Sequence, residues 1–156
     1  MMKKIILVIL LGGLTWMAAC KKSNDVSSIP SISFIDFTTL KDINRKDTTG
    51  LLRIYFKDGN GDIGLYQTQA GVDFYSIFVY KKLGIWTEDT TKFNYRIPYI
   101  ADQATKDGLK GEIDITYNRA IIGSIPWDSI KIKCFLNDRA GNVSNTLLTP
   151  EFDLVH

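Results

Sequence analysis

The sequence predicts an all-β fold, an antiparallel sandwich of about seven to eight strands, and three observations support this prediction. Apolar and polar residues alternate along segments 52–56, 113–117 and 130–136, which is the period-two pattern of strands with one buried face. Clusters of Gly, Asp, Asn and Pro separate these segments and favour tight turns. Beyond residue 20 the sequence sustains no helical period, and only Tyr99–Lys106 could form a helical turn or two.

The predicted strands follow one another at short intervals as far as the C-terminus. They are Ser31–Phe37, Leu51–Lys57, Phe74–Lys82, Phe93–Ile97, Glu112–Tyr117, Ile130–Asn137 and Val143–Leu148, with an eighth, shorter piece at Phe152–Leu154. Such short strands joined by turns are typical of an immunoglobulin-like sandwich, and a small barrel is the alternative. We therefore predict one immunoglobulin-like β-sandwich domain over residues 31–156.

The first nineteen residues have the three regions of a secretory signal peptide. Two lysines near the start are followed by an apolar run from Ile5 to Leu11 and by two small residues, Ala18 and Ala19. The apolar part is shorter than the roughly 20 residues that a membrane-spanning helix needs. We therefore predict that residues 1–19 are removed from the mature protein.

Residues 17–20, Met-Ala-Ala-Cys, resemble the cleavage box of bacterial lipoproteins, although Met17 stands where leucine is usual. The resemblance implies that Cys20 is lipidated and anchors the protein to the membrane. Lys21 and Lys22 follow instead of the aspartate that retains some lipoproteins in the inner membrane, so the outer membrane is implied. The alternative is an ordinary secreted protein that is cut before Cys20.

Residues 20–30 are predicted to be the lipidated cysteine and a flexible tether. Lys21 to Ser28 is polar and carries no hydrophobic pattern, and Pro30 ends the segment. Ten extended residues reach at most about 35 Å. The domain would therefore stay close to the membrane.

Charge and cysteine content exclude some classes of function. The mature chain has 17 basic and 17 acidic residues, because the two lysines of the leader are removed with it. A balanced charge argues against nucleic acid as a partner, which requires a clustered basic face. With Cys20 lipidated, Cys134 has no second cysteine to pair with, so no disulfide is predicted.

A glycine-rich acidic loop follows the second predicted strand and has the start of a calcium-binding sequence. Residues 58–64 read Asp-Gly-Asn-Gly-Asp-Ile-Gly, so oxygen ligands recur at Asp58, Asn60 and Asp62. The loop lacks the sixth-position glycine and the twelfth-position glutamate of an EF-hand, and no helices flank it. The alternative is a tight turn without metal.

A second loop with similar chemistry joins the last two long predicted strands. In an immunoglobulin-like sandwich the two loops lie at the same end, so Asp138 and Asn142 could join Asp58, Asn60 and Asp62 around one calcium ion. Alternatively, Arg139 pairs with an aspartate of the first loop and holds this end together without metal. Binding of the extracellular type would have a dissociation constant on the order of 0.1–1 mM.

The sequence favours a protein that is not an enzyme. The one histidine is the C-terminal His156, and Cys134 alternates inward with isoleucines, so no nucleophile and base can be paired. Trp86, Trp127 and Tyr66 are candidate sugar-stacking aromatics, although core packing is the commoner use of such residues. We place Trp86 near a hairpin tip at the end opposite the acidic loops, as the candidate ligand-binding residue.

The two acidic loops also carry a family resemblance. Phe-Lys-Asp-Gly-Asn-Gly-Asp-Ile-Gly at 56–64, Asn-Asp-Arg-Ala-Gly-Asn-Val-Ser-Asn at 137–145 and the later Thr149-Pro150 resemble Bacteroidota lipoproteins with one immunoglobulin-like domain and unknown function. The resemblance implies an outer-membrane lipoprotein, at the periplasmic face or the cell surface. We expect a non-catalytic envelope module that binds a glycan or protein, or a calcium-stabilised spacer without a ligand.

Overall fold

The computed structural model describes residues 26–100 and 107–156. The predicted signal peptide and Cys20 lie outside the described residues, as does the largest part of the Tyr99–Lys106 segment. Processing, lipidation and the extra helical turns therefore stay predictions.

The described residues form eight strands and one short helix. These are β1 (Ser31–Lys41), β2 (Asp47–Asp58), β3 (Phe74–Lys82), β4 (Ile85–Tyr95), β5 (Leu109–Tyr117), α1 (Arg119–Ile122), β6 (Ser129–Leu136), β7 (Leu147–Leu148) and β8 (Phe152–Asp153). In this part of the chain no helix is long and apolar enough to cross a membrane.

The strands form two antiparallel sheets. The smaller sheet has the order β1-β2-β5, and the larger has the order β4-β3-β6-β7, with β8 paired to the start of β6. As in an immunoglobulin-like sandwich, the first, second and fifth strands share one sheet and the third, sixth and seventh share the other, but β4 pairs with β3 and does not join the smaller sheet. The predicted antiparallel β-sandwich is confirmed, and the barrel alternative is wrong because no strand pairing joins the two sheets within residues 26–100 and 107–156.

The core fills the space between the two sheets with side chains that alternate along each strand. β2 contributes Leu52, Ile54 and Phe56. In the larger sheet, β6 contributes Ile130, Ile132, Cys134 and Leu136. Fully burying each large apolar side chain stabilises the fold by about 1.5–3 kcal/mol. Burial also raises the pKa of the Cys134 thiol to about 12, so it is protonated at neutral pH.

Several predicted strand boundaries differ from the structure: β1, β2 and β5 are longer than predicted, and the largest differences are at β4 and β7. β4 begins at Ile85, eight residues before the predicted start, because this edge strand is largely exposed and lacks alternation. The predicted strand Val143–Leu148 is reduced to β7 and an isolated bridge at Val143. The single turn of α1 was not predicted; its first turn is capped by the Asn118 side chain, which accepts a hydrogen bond from the Ile121 N–H.

Candidate cation site and ligand-binding face

Three aspartates from two loops meet at one end of the sandwich. Asp58 is the last residue of β2, Asp62 lies in the loop that follows, and Asp138 follows β6. One carboxylate oxygen from each residue lies within 4.8 Å of the other two. The prediction that these loops share one end of the fold is therefore confirmed.

The second loop is built directly onto the first by backbone hydrogen bonds. The Asp62 N–H donates to Asp58 Oδ2 at 2.9 Å, which curls the first loop. The Arg139 N–H donates to the Asp62 carbonyl oxygen, and the Ala140 N–H donates to Asp62 Oδ2, both at 3.0 Å. The curl also needs Gly61 with φ of 72°, a backbone conformation that favours glycine.

The two predicted asparagine ligands take different places. The Asn142 N–H donates to Asp138 Oδ1 and its side-chain Nδ2 donates to Asp138 Oδ2, each at 2.7 Å. Asn142 therefore orients the Asp138 carboxylate and presents its amide nitrogen to it. Asn60 is exposed on the first loop. Of the five predicted metal ligands, the structure brings together Asp58, Asp62 and Asp138.

Arg139 contacts backbone carbonyl oxygens of the first loop and two tyrosine rings. Its Nη1 donates to the carbonyl oxygens of Ile63 at 3.0 Å and Gly64 at 2.8 Å. Its guanidinium carbon lies about 5 Å from the ring centroids of Tyr66 and Tyr99, which stack on each other at 4.3 Å. Within the described ranges, no ion pair joins Arg139 to the three aspartates, and the arginine positions the loop through the two carbonyl oxygens.

The cluster is buried, acidic and short of donors. Asp58 is 0% exposed, and the Oδ1 atoms of Asp58 and Asp62 are buried without a hydrogen-bond partner. Burial raises the pKa of Asp58 to about 6, and the negative charges of Asp62 and Asp138 act in the same direction. The arrangement offers only carboxylate oxygens, which is the donor chemistry of a hard cation.

The described part of the predicted tether lies against the same loops. The Gly59 N–H donates to the Ser27 carbonyl oxygen at 2.8 Å. Asn142 Nδ2 donates to the Ser28 carbonyl oxygen at 3.3 Å, and Pro30 is fully buried. The acidic cluster is therefore located where the chain enters the domain.

The structure places Trp86 at the opposite end, beside the hairpin turn formed by Leu83 and Gly84. Its ring is half-buried on the outer face of the larger sheet. Lys131 Nζ lies 4.2 Å from the ring centroid and Lys81 Nζ lies 5.5 Å from it. These lysines already make cation–π contacts with Trp86, so a ligand would have to share or displace them.

The two other candidate aromatics also contact protein groups. The Trp127 ring stacks on Tyr80 with a centroid distance of 4.6 Å, at the margin of the core. Tyr66 stacks on Tyr99, a pair that sequence reasoning missed because the two tyrosines lie in separate irregular segments.

A groove that the sequence analysis missed lies on the outer face of the larger sheet. Its volume is about 180 Å³, and its main lining side chains are Tyr75, Ile77, Lys92, Asn94, Lys133 and Phe135. Tyr75 and Phe135 stack nearly parallel, with centroids 4.9 Å apart. The alternation of each strand places these side chains on the outer face, but only the pairing of three strands makes them neighbours.

Comparison of the chain with protein-family models, with curated proteins and with solved structures finds no match in any of the three. Function is therefore inferred from the fold and from these two surfaces.

Proposed function

We propose that this chain is a non-catalytic binding module of the cell envelope that recognises a glycan or a protein. The outer-face groove is the observation that supports this proposal. The chain would be held on the outer membrane, at its periplasmic face or at the cell surface, by a lipid on Cys20. Two or more acyl chains on that cysteine would anchor it stably, whereas one chain gives only marginal binding.

The strand register explains why the groove has both apolar and polar walls. In one row, Tyr75 of β3 lies between Asn94 and Phe135, and in the next row Ile77 lies between Lys92 and Lys133. Ile77 thus forms an apolar floor between an aromatic wall and lysine ammonium groups. Apolar surface with a few convergent polar groups is characteristic of small-ligand sites.

Contacts within the protein also support the walls of the groove. The Tyr75 hydroxyl donates to the Val72 carbonyl oxygen at 3.0 Å, while Phe135 covers one side of the ring. On the opposite side, Lys133 Nζ reaches across β3 to Glu88 Oε1 at 2.6 Å. Preorganised walls reduce the entropy that binding would otherwise lose.

The chemistry of the titratable side chains supports a binding role over a catalytic one. The buried Cys134 is protonated at neutral pH and is therefore a poor nucleophile. The ring Nε2 of His156 contacts the Trp127 carbonyl oxygen at 3.0 Å. The carboxylate cluster is placed where the tether enters the domain and lies outside the groove lining.

The test is a glycan array together with pull-down from solubilised membranes, using the full chain and three variants. Tyr75→Ser combined with Lys92→Ala should weaken binding about tenfold or more, because it removes an aromatic wall and an ammonium group. Lys110→Ala on β5 of the smaller sheet is the matched control and should bind as the wild type does. Trp86→Ala tests the sequence-based site at the other end of the same face.

A ligand that binds the double variant as tightly as the wild type would contradict the groove as the site. Loss of ligand binding in Trp86→Ala, with binding retained in the double variant, would show that the site lies at the Trp86 end of the face. The second candidate function, a calcium-stabilised spacer without a ligand, is favoured by the aspartate cluster. It predicts no specific partner in either assay but a melting temperature that depends on calcium.

A further inference from the structure

We infer that Asp58, Asp62 and Asp138 bind one divalent cation of the calcium class, and that the bound cation fixes residues 26–28 to the domain. This site is separate from the ligand groove, and the inference does not depend on the proposed binding function.

The spacing of the oxygens fits one calcium ion. Calcium binds oxygen ligands at 2.3–2.6 Å, so two oxygens on the same ion can be at most about 5 Å apart. The three carboxylates offer atoms within 4.8 Å of one another, from two loops that are hydrogen-bonded into one unit. A single ion could therefore contact all three residues with little movement of the backbone.

Two buried oxygens without donors point to a missing positive partner. Asp58 Oδ2, Asp62 Oδ2 and both oxygens of Asp138 accept N–H groups of the loops. Asp58 Oδ1 and Asp62 Oδ1 are also buried, but no hydrogen-bond donor of the described chain reaches them. Leaving a buried charged oxygen unpaired costs more than leaving a neutral one unpaired. A divalent cation would satisfy both oxygens and offset the repulsion among the three charges.

Two of the three proposed ligands, Asp58 and Asp138, are each linked to the N-terminal segment through one further residue. Gly59, the residue after Asp58, donates its N–H to the Ser27 carbonyl oxygen. Asn142 holds Asp138 through two hydrogen bonds and donates the same Nδ2 group to the Ser28 carbonyl oxygen. An ion that fixes the two carboxylates would therefore also fix the groups that hold the chain at its entry to the domain.

Gly59 allows this coupling to be tested by a small substitution. A methyl group at Gly59 would overlap the carbonyl oxygens of Val26 and Ser27, so Gly59→Ala must displace the N-terminal segment. The carboxylates themselves are unchanged by this substitution. Because coupling between two sites is reciprocal, displacing the segment should weaken cation binding if the cation fixes the segment.

The first experiment measures binding of CaCl₂ to the full chain by titration calorimetry, with melting curves in calcium and in EDTA. We expect a dissociation constant on the order of 0.1–1 mM and, at about 5 mM calcium, a rise of roughly 4–8 °C in melting temperature. Asp58→Asn should weaken binding at least tenfold. Asp73→Asn should not, because Asp73 is a buried carboxylate with a raised pKa that lies outside the cluster.

Absence of saturable calcium binding, or equal binding by Asp58→Asn, would overturn the site. Equal affinity for MgCl₂ would overturn its assignment to the calcium class.

The second experiment follows hydrogen exchange of the Gly59 amide, which reports directly on its bond to Ser27. Calcium should slow this exchange at least tenfold, and Gly59→Ala should weaken calcium binding about fivefold or more. Gly111→Ala on β5 is the matched control, since the added methyl group would meet only the Phe56 ring. If calcium binds but neither quantity changes, the coupling to residues 26–28 is overturned while the cation site stands.

Discussion

Strand β2 begins with one buried aspartate and ends with another, and the two carboxylates differ in the charged groups that surround them. Asp47 is 4% exposed and Asp58 is 0% exposed, so burial is nearly equal. The strand separates them by about 35 Å, at roughly 3.3 Å per residue. What differs is the set of groups around each carboxylate.

Asp47 is surrounded by positive and donor groups. Lys41 Nζ lies 2.9 Å from Asp47 Oδ1, and the Val155 N–H donates to Asp47 Oδ2 at 2.7 Å. Burial raises the pKa of Asp47, but hydrogen bonds from Thr39, Lys41 and Val155 together with the lysine charge outweigh it, so the pKa is lowered. The protein itself supplies a lysine charge and donor groups to this carboxylate, although Asp47 Oδ1 is buried and the lysine contact to it is an ion pair outside hydrogen-bond geometry.

Asp58 is surrounded by other acids. Its described donor is the Asp62 N–H, and the nearest charges are those of Asp62 and Asp138, so burial and repulsion raise its pKa to about 6. Burial alone therefore does not decide whether a carboxylate stabilises a fold; the partners decide it. One end of β2 is complete in the sense that a lysine offsets its charge, whereas the other lacks a positive group among the described residues.

The largest effect should come from breaking the complete end. Asp47→Ala leaves the Val155 N–H and the Lys41 ammonium without their partner, which should lower the free energy of unfolding by about 2 kcal/mol. Urea denaturation in calcium and in EDTA measures this loss. The loss should be the same in both buffers, and a loss that appears only in EDTA would contradict the independence of the two ends.

A smaller effect of opposite sign is expected at the other end. In EDTA at pH 7, Asp58→Asn should raise the free energy of unfolding by on the order of 1 kcal/mol, because a neutral amide removes one repelling charge and can donate to a neighbouring carboxylate. Chemical denaturation of both proteins in EDTA measures the difference. A variant less stable than the wild type under these conditions would show that the Asp58 charge is already compensated.

A pH dependence of stability is also expected at Asp58. The pKa of Asp58 is raised from 3.8 to about 6 in the folded protein, so between these pH values the folded state binds the additional proton. The contribution of Asp58 to stability should therefore fall as pH rises from about 4 to about 6 in EDTA. The free energy of unfolding of the wild type minus that of Asp58→Asn, measured by denaturation at each pH, isolates this slope. A difference that is flat or rises with pH would contradict the raised pKa.

The strands and the two loops could be predicted because local patterns encode them. Alternation along β2, β5 and β6 reflects one buried face, and the glycines of the first loop permit its sharp turns. β4 was placed too late because an exposed edge strand has no buried face to select alternating residues. Within the candidate cation site, the aspartates were found from residue type and topology, but the role of Asn142 as a donor to Asp138 was not.

Local sequence patterns specify the all-β class and the acidic character of two loops, because both depend on residues close together along the chain. The tertiary structure brings three carboxylates into one site and directs Arg139 to the Ile63 and Gly64 carbonyl oxygens. It also decided that Tyr75, Lys92 and Phe135 line one groove, since strand pairing brings these distant residues together. The partners of a charge or an aromatic ring depend on contacts between distant segments, and local sequence patterns do not specify those contacts.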